Sequence, residues 1–319
     1  MLYLAKDCEE SIQNATDVLK EHKTIALLHV FMYSSLRINR RMKLAVSIPE
    51  WLDCLRNSEI VDRVRNDLRS TNDKILGVSF NEARDEVIGG GQADFDKPWK
   101  HLTGDDRALL YAYCNQLGHL EELVAAFQMH FDGVIPDSEP IVVDLGCGPF
   151  TGGLAFASTF GDEPCFDYIG IDRSQSMRSL GEQLASAARN LSGVKRTWKS
   201  DVASVEWNTP PGWRPVFIIV SFLLASPTLD VTALMAELDV LLKKLGNGSV
   251  TILYTNAIGN EANRSFAFVR STLQRKGFTV HADDTGEVQV ARLNDTIPRK
   301  FRYALFHRPK QTILQLDGG

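Results

Sequence analysis

Twelve residues near the middle of the chain constrain its fold most: Ile141-Val142-Val143-Asp144-Leu145-Gly146-Cys147-Gly148-Pro149-Phe150-Thr151-Gly152. A β-branched run closes on an acid, turns on two glycines and continues into Gly153-Leu154-Ala155-Phe156-Ala157, a helical composition. Strand, tight turn and helix in that order build a nucleotide-sized, anion-tolerant pocket at the strand's carboxyl end. Gly146 and Gly148 let the backbone turn sharply and approach a ligand that a Cβ would push away.

The pattern continues towards the C-terminus. Strands read at Asp167–Asp172, Arg196–Asp201, Val216–Phe222 and Ser249–Tyr254, with short ones at Thr279–Ala282 and Phe301–Phe306. Helices read between them at Met177–Asn190, Ala233–Leu245 and Ala262–Lys276. Strands alternating with helices of this length predict an α/β fold, a seven-stranded, mainly parallel sheet with helices on both faces. Ahead of it, residues 1 to about 80 carry apolar residues at helical spacing, and further helices begin at Gly104. Gly89-Gly90-Gly91 reads as a loop near a boundary. The division expected is a helical N-terminal region, 1–132, that caps the core or offers a partner surface, and the core itself, 133–319.

Composition narrows the class. A net charge of −5 gives no global case for a nucleic-acid binder. Five scattered cysteines with no C-x-x-C spacing disfavour a disulfide framework or a metal site and suit a reducing cytoplasm. No apolar run is long enough to span a bilayer, so no membrane partner is expected.

A dinucleotide fingerprint would read G-x-G-x-x-G, whereas Thr151 stands at its last glycine and an acid, Asp144, precedes the first. That negative charge suits a cationic ligand better than a pyrophosphate. Asp172 lies 28 positions after Asp144, where a carboxylate meets ribose hydroxyls, and Asp201 ends the third strand, placed to accept from an exocyclic amine. A helix N-cap is the alternative for either acid, since Ser174 and Ser204 follow.

As a set, Asp144-Leu145-Gly146-Cys147-Gly148, Asp172, Asp201, the Val216–Phe222 strand and Leu245-Gly246-Asn247-Gly248-Ser249 resemble class I (Rossmann-like) S-adenosylmethionine-dependent methyltransferases, over roughly residues 133 to 310. Phe150 departs from the pattern where many members have a third glycine. The resemblance implies S-adenosylmethionine as cofactor, no metal, and a methyltransferase activity. It implies that Gly146, Cys147 and Gly148 hold the methionine part, with Asp144 organising the turn. Asp172 would take the ribose, Arg173 and Met177 would flank the adenine, and Asp201 and Val202 would read its edge. Ser221 and Phe222 would line the site from strand four, and Tyr113 the methionine end. His119 is a candidate general base, with a buried structural histidine as the alternative.

The acceptor is less constrained. After Val216–Val220, Ser221-Phe222-Leu223-Leu224 lacks the Asn/Asp-Pro-Pro-Tyr turn of amino-methylating enzymes, and no cysteine stands there for cytosine-C5 chemistry. RNA is the expected acceptor, through six basic residues with interleaved aromatics between Arg292 and Lys310 and through the Arg37–Lys43 cluster. Ile171–Ser174 and Ser221–Ser226 resemble a ribosomal RNA methyltransferase family, whose metal-binding cysteines are absent here. A small-molecule acceptor, or a non-catalytic module that binds the cofactor and docks a partner, are the alternatives.

Overall fold

The unbroken apolar runs become the centre of one sheet. β1 (Ile141–Leu145), β2 (Asp167–Ile171), β3 (Lys195–Lys199), β4 (Val216–Ser221) and β5 (Val250–Ala257) are all parallel. β6 (Thr279–Arg292) and β7 (Asp295–Arg308) complete it, with β7 antiparallel to both β5 and β6. The order across the sheet is β6-β7-β5-β4-β1-β2-β3, and a two-residue strand, Lys43–Leu44, adds to the β6 edge. The computed structural model describes residues 43–44, 48–131, 139–160, 164–206, 214–245, 248–292 and 295–310. The helices read into residues 1–42, and the Arg37–Lys43 cluster apart from the Lys43 backbone, lie outside them.

The period of two in each strand sorts the core into two layers. Ile141, Val143 and Leu145 of β1 face α6 (Val231–Lys244) and α7 (Phe266–Arg275), where Leu238, Leu241, Val269 and Leu273 cover them. Val142 faces the other way, onto the layer of α3 (Leu117–Phe131) and α4 (Thr151–Thr159), with Phe127, Leu154 and Phe156. Asp144 follows Val142 by two and therefore also points inward, beneath α4.

The helical region is a third layer. α1 (Glu50–Arg56) sends Leu52 and Leu55 into the α3–α4 core. Ile60, Val64, Leu109 and Leu110 pack on Met177, Leu180 and Leu184 of α5 (Gln175–Ala187). Lys43–Gly319 thus forms one compact unit, in which this layer is built onto the sheet. Between α2 (Gly104–Tyr111) and α3 the chain runs through a π-helical turn, Ala112–Gln116. Such turns accompany functional sites.

The short closing strands expected at 279–282 and 301–306 are instead a long hairpin of two 14-residue strands. Pro298 sits on β7 beyond the end of its pairing with β5, with β6 alone beside it, and there the missing donor is tolerated. β5 ends at Ala257, opposite Phe301, so residues 295–300 and their partners project past the sheet's carboxyl edge and pack towards α3.

Candidate active site

The strand order reverses between β1 and β4, and in open α/β sheets the ligand crevice lies at such a point, outside the carboxyl ends of the strands. The glycine turn enters it from β1, Phe222–Ser226 from β4, and Asp172–Ser174 from β2.

Gly146 and Gly148 both adopt left-handed backbone, at φ +71° and +51°. The amides of this turn are spent internally. Gly146 N and Cys147 N donate to the Ile171 carbonyl at 2.8 and 3.1 Å, and Gly148 N donates to Asp172 Oδ2 at 3.0 Å. Phe150 is also left-handed, at φ +66°, a conformation that costs a non-glycine residue about 1 kcal/mol. Its ring is fully buried, edge-on to Tyr168 at 4.7 Å and to Trp198 at 5.7 Å. Room for it exists because residue 153 is glycine, whose Cβ would lie 2.0 Å from Phe150 Cε2. Aromatic packing, not a third glycine, sets this end of the loop.

Asp144 does not face the crevice. Its side chain is 2% exposed and accepts from Tyr168 Oη at 2.9 Å and from the Gly152 backbone amide. Burial pushes its carboxyl up to about 7. It occupies the N-terminus of α4, where a Cβ on Gly152 would come within 2.3 Å of its Oδ2. The attraction of a cationic ligand to this charge, read from the sequence, is therefore replaced by a role inside the turn.

Asp172 stands at the crevice, with Oδ2 on Gly148 N and Oδ1 on Ser174 N at 2.9 Å. Burial raises its pKa, against the pull of those two amides. Ser174, not Asp172, is the N-cap of α5. Asp201 is exposed, accepts from Ser204 N and Ser200 Oγ, and is held below the ordinary carboxylate range by those bonds. Arg173 is exposed beside Asp172. Two of the adenine-side residues are elsewhere: Met177 is 3% exposed in the core between α5 and the helical layer, and Val202 is 1% exposed in the α6 core. The helical layer covers one and α6 the other.

On the β4 side, Ser221 accepts from Thr255 Oγ1 at 2.9 Å, and Phe222 takes left-handed backbone at φ +57°. The His119 ring stacks on Phe222 at 3.9 Å, and its Nδ1 lies 3.3 Å from Tyr111 Oη. Burial, with Arg299 adding, pushes the imidazole down to about 3, so it is neutral near pH 7. Tyr113 is partly buried against the helical-layer core. Tyr111, two residues earlier and unremarked in the sequence, is the tyrosine at the turn, with Cε1 3.8 Å from where a Cβ on Gly148 would be. Tyr254, Thr255 and Asn256, towards the carboxyl end of β5, are buried, Tyr254 and Asn256 in a hydrogen-bonded network with Asn263.

The Arg292–Lys310 stretch is mostly turned inward. Phe301 and Phe306 are fully buried and Tyr303 nearly so. Arg302 pairs with Asp283 at 2.6 Å, Arg308 is buried against the Phe278 ring, and Arg299 pairs with the buried Glu122. Lys300 and Lys310 are exposed, and the Arg292 side chain lies outside the described residues. Residues that alternate along a strand fill its core face before they make a nucleic-acid platform.

A strap from the helical layer crosses the crevice. Gln92 Nε2 donates to the Ala225 carbonyl beyond β4, at 3.2 Å. Asp96, four residues on, accepts from Ser174 Oγ, Gln175 N and Ser176 N, each at 2.9 Å, at the start of α5. The buried Arg107 shapes this strap, donating to the carbonyls of Val87, Asp94 and Lys97. Beneath it, Phe95 lies edge-on to Tyr111 at 5.5 Å. Gln116 anchors the π-helical turn to the glycine turn, donating to the Pro149 carbonyl at 2.9 Å.

No protein family and no curated protein matches this sequence. Solved structures do. Magnesium protoporphyrin IX methyltransferase from Synechocystis PCC 6803, with bound SAH, is 18% identical over 71% of this chain and 93% of its own, at a TM-score of 0.40. An arsenic(III) S-adenosylmethionine methyltransferase from Chlamydomonas reinhardtii is 14% identical over 60% and 73%, at 0.36. A Streptococcus pneumoniae protein described as a candidate tRNA (m1A22) methyltransferase is 14% identical over 62% and 75%, at 0.38. At these levels the likeness is one of fold. Among the described residues, no helix is long and apolar enough to cross a membrane.

Proposed function

We propose that the protein is an S-adenosylmethionine-dependent methyltransferase whose acceptor is a small molecule, bound beneath the strap. One observation carries the cofactor: the amides of Gly146, Cys147 and Gly148 are spent, and Asp144 takes the Gly152 amide at the α4 N-terminus. A pyrophosphate needs those donors. Acceptors remain to be offered, namely the carbonyls of Gly146, Cys147 and Gly148 and the second lone pairs of the Asp172 oxygens. They fit a ligand that brings donors, such as an ammonium and ribose hydroxyls, so Gly146, Cys147 and Gly148 would hold the methionine part and Asp172 the ribose. Arg173 and Asp201 stand at the exposed end, on the adenine side.

When bound, the sulfonium supplies an activated methyl group. The protein's own task is alignment and exclusion of water. Tyr111, His119 and Phe222 form an uncharged aromatic wall on the β4 side. A base held near pKa 3 transfers protons poorly at neutral pH, so His119 serves that wall and not proton abstraction. Tyr113 has no hydrogen-bonding part in this wall.

The crossing strap favours a small acceptor over a folded polynucleotide. An RNA acceptor keeps Lys300 and Lys310 as its support and loses the buried aromatics. Calorimetry against S-adenosylmethionine, its demethylated product and NAD tests the cofactor, and heat with NAD alone would overturn the reading. Label transfer from the methyl group into separated metabolite, RNA and protein fractions tests the acceptor. Transfer into RNA that weakens steeply with salt would restore the polynucleotide, and binding without transfer would leave a non-catalytic module. With the acceptor in hand, His119→Gln is expected to keep turnover within about tenfold, where loss of a general base costs about 10²–10⁴.

A further inference from the structure

We infer that Asp96 is a positioning residue of the cofactor site and the latch of the strap that crosses it, so that cofactor leaves only when Asp96 lets go of α5. The inference rests on the cofactor reading above. Its own evidence lies in how the strap is attached at its two ends and bent at its start.

At the β2 end, the Asp96 carboxylate takes three donors at 2.9 Å, from Ser174 Oγ, Gln175 N and Ser176 N. Ser174 is shared with the site, since its amide donates to Asp172 Oδ1 while its hydroxyl donates to Asp96 and accepts from Met177 N. Asp96 therefore fixes, through Ser174, the carboxylate that would hold the ribose. Gly104 closes the same contact from behind, because a Cβ there would lie 2.5 Å from Ser176 Oγ. At the β4 end the attachment is a single bond, Gln92 to Ala225, from an exposed side chain. The strap thus joins the segments after β4 and β2, the two neighbours of β1 in the sheet, and passes over the glycine turn between them.

At its start the backbone bends through Gly89, Gly90 and Gly91, all at positive φ, +54°, +62° and +100°. Gly90 has no heavy atom within 4 Å of where its Cβ would be. Its glycine serves backbone conformation alone, as a hinge requires. An Asp at the start of α5 also removes that helix terminus as an anion site. The combination favours an unphosphorylated nucleoside beneath the strap.

The test is the dissociation rate of labelled S-adenosylhomocysteine from the full chain, in the wild type, Asp96→Ala, Gly90→Ala and Asp230→Ala. Asp230→Ala is the control, since it removes a cap of the same kind, on Thr232 N and Ala233 N of α6, outside the strap. Release is expected at least tenfold faster in Asp96→Ala. In Gly90→Ala, which disfavours the closed bend without a clash, it is expected about fivefold faster. Asp230→Ala should release at the wild-type rate while melting lower. If Asp96→Ala does not fold, Gly90→Ala alone decides. Wild-type binding with unchanged release in both strap variants overturns the latch, as does equal acceleration in the control, or acceleration by Gly90→Ala with none by Asp96→Ala. A wild type that does not bind the compound overturns the cofactor reading instead, and the latch falls with it.

Discussion

Asp172→Ala is expected to weaken binding of S-adenosylmethionine and of its demethylated product at least a hundredfold, the largest loss of any single change at the site. Two effects add. The carboxylate would accept from ribose hydroxyls, and a hydrogen bond to a charged group contributes about 1.5–3 kcal/mol. Two such bonds amount to about 3–6 kcal/mol, and about 1.4 kcal/mol is a tenfold change in affinity. In addition, alanine strands Gly148 N and Ser174 N, which donate to Asp172 at 3.0 and 2.9 Å, so the glycine turn and the start of α5 lose the tie between them. Asp172→Asn separates these effects. It keeps the shape and one acceptor, but turns an amide NH₂ towards a backbone N–H, so an intermediate loss is expected. Calorimetric titration checks both variants, with thermal melts to confirm folding. Affinities within threefold of wild type would remove Asp172 from the cofactor site.

Much of this arrangement is legible in the chain itself. The runs Ile141–Leu145 and Val216–Ser221 are apolar on both faces, as strands buried on both sides must be, and the glycine turn marks where the crevice opens. Period two even carries the orientation of Asp144, because Val142 two places earlier is core on the α4 face. Read that way, the acid belongs under the helix before it belongs to a ligand. The burial of Met177 and Val202 is illegible for a different reason: their neighbours come from distant segments that cover them, and one sequence does not reveal what covers a residue. The same holds for Asp96, which meets Ser174 across 78 positions. A carboxylate four residues after Gln92 in a loop looks like any solvated acid until its partners are seen. Tyr111 and His119 are eight apart and joined through a π-helical turn, which shifts the register that a regular helix would impose.

Stability is expected to fall as pH rises from about 5 to about 8, opposite to a protein whose carboxylates are mostly paired. Asp144, ordinarily near 3.8, is pushed up to about 7, and Glu121, ordinarily near 4.5, is also pushed up to about 7, each chiefly by burial. In the unfolded chain both are ionised above pH 5, while the folded chain keeps their protons until about pH 7. His119, held near 3 by burial, opposes them up to its ordinary value near 6.5, but two carboxyls outweigh one imidazole. The folded state therefore binds more protons across that window, and unfolding becomes easier with rising pH, most steeply above about pH 6.5, until both groups are ionised in both states. At about 1.36 kcal/mol per pH unit, the two units between pH 5 and about 7 make Asp144 alone account for a loss of about 3 kcal/mol, a large part of a typical domain's stability. Glu122 acts in the same direction, its carboxyl raised by burial against the pull of Arg299. Below pH 4 the trend reverses. Asp67 is held near 2, chiefly by its hydrogen bond to Arg69, and Asp106 is lowered by its bonds to Arg69 and Thr103; as the two acids take up protons, Arg69 loses both its ionised partners. A maximum between about pH 4 and 5 follows. Urea midpoints at pH 5 and pH 8 check it, and Asp144→Asn assigns it: the amide oxygen still accepts from Tyr168 Oη or Gly152 N, but carries no proton to lose. The variant should show a shallower fall than wild type over that window, and Glu121→Gln a further flattening. Equal slopes in wild type and Asp144→Asn would mean that the acid under α4 stays ionised in the folded protein, and a wild type more stable at pH 8 than at pH 5 would reject the account altogether.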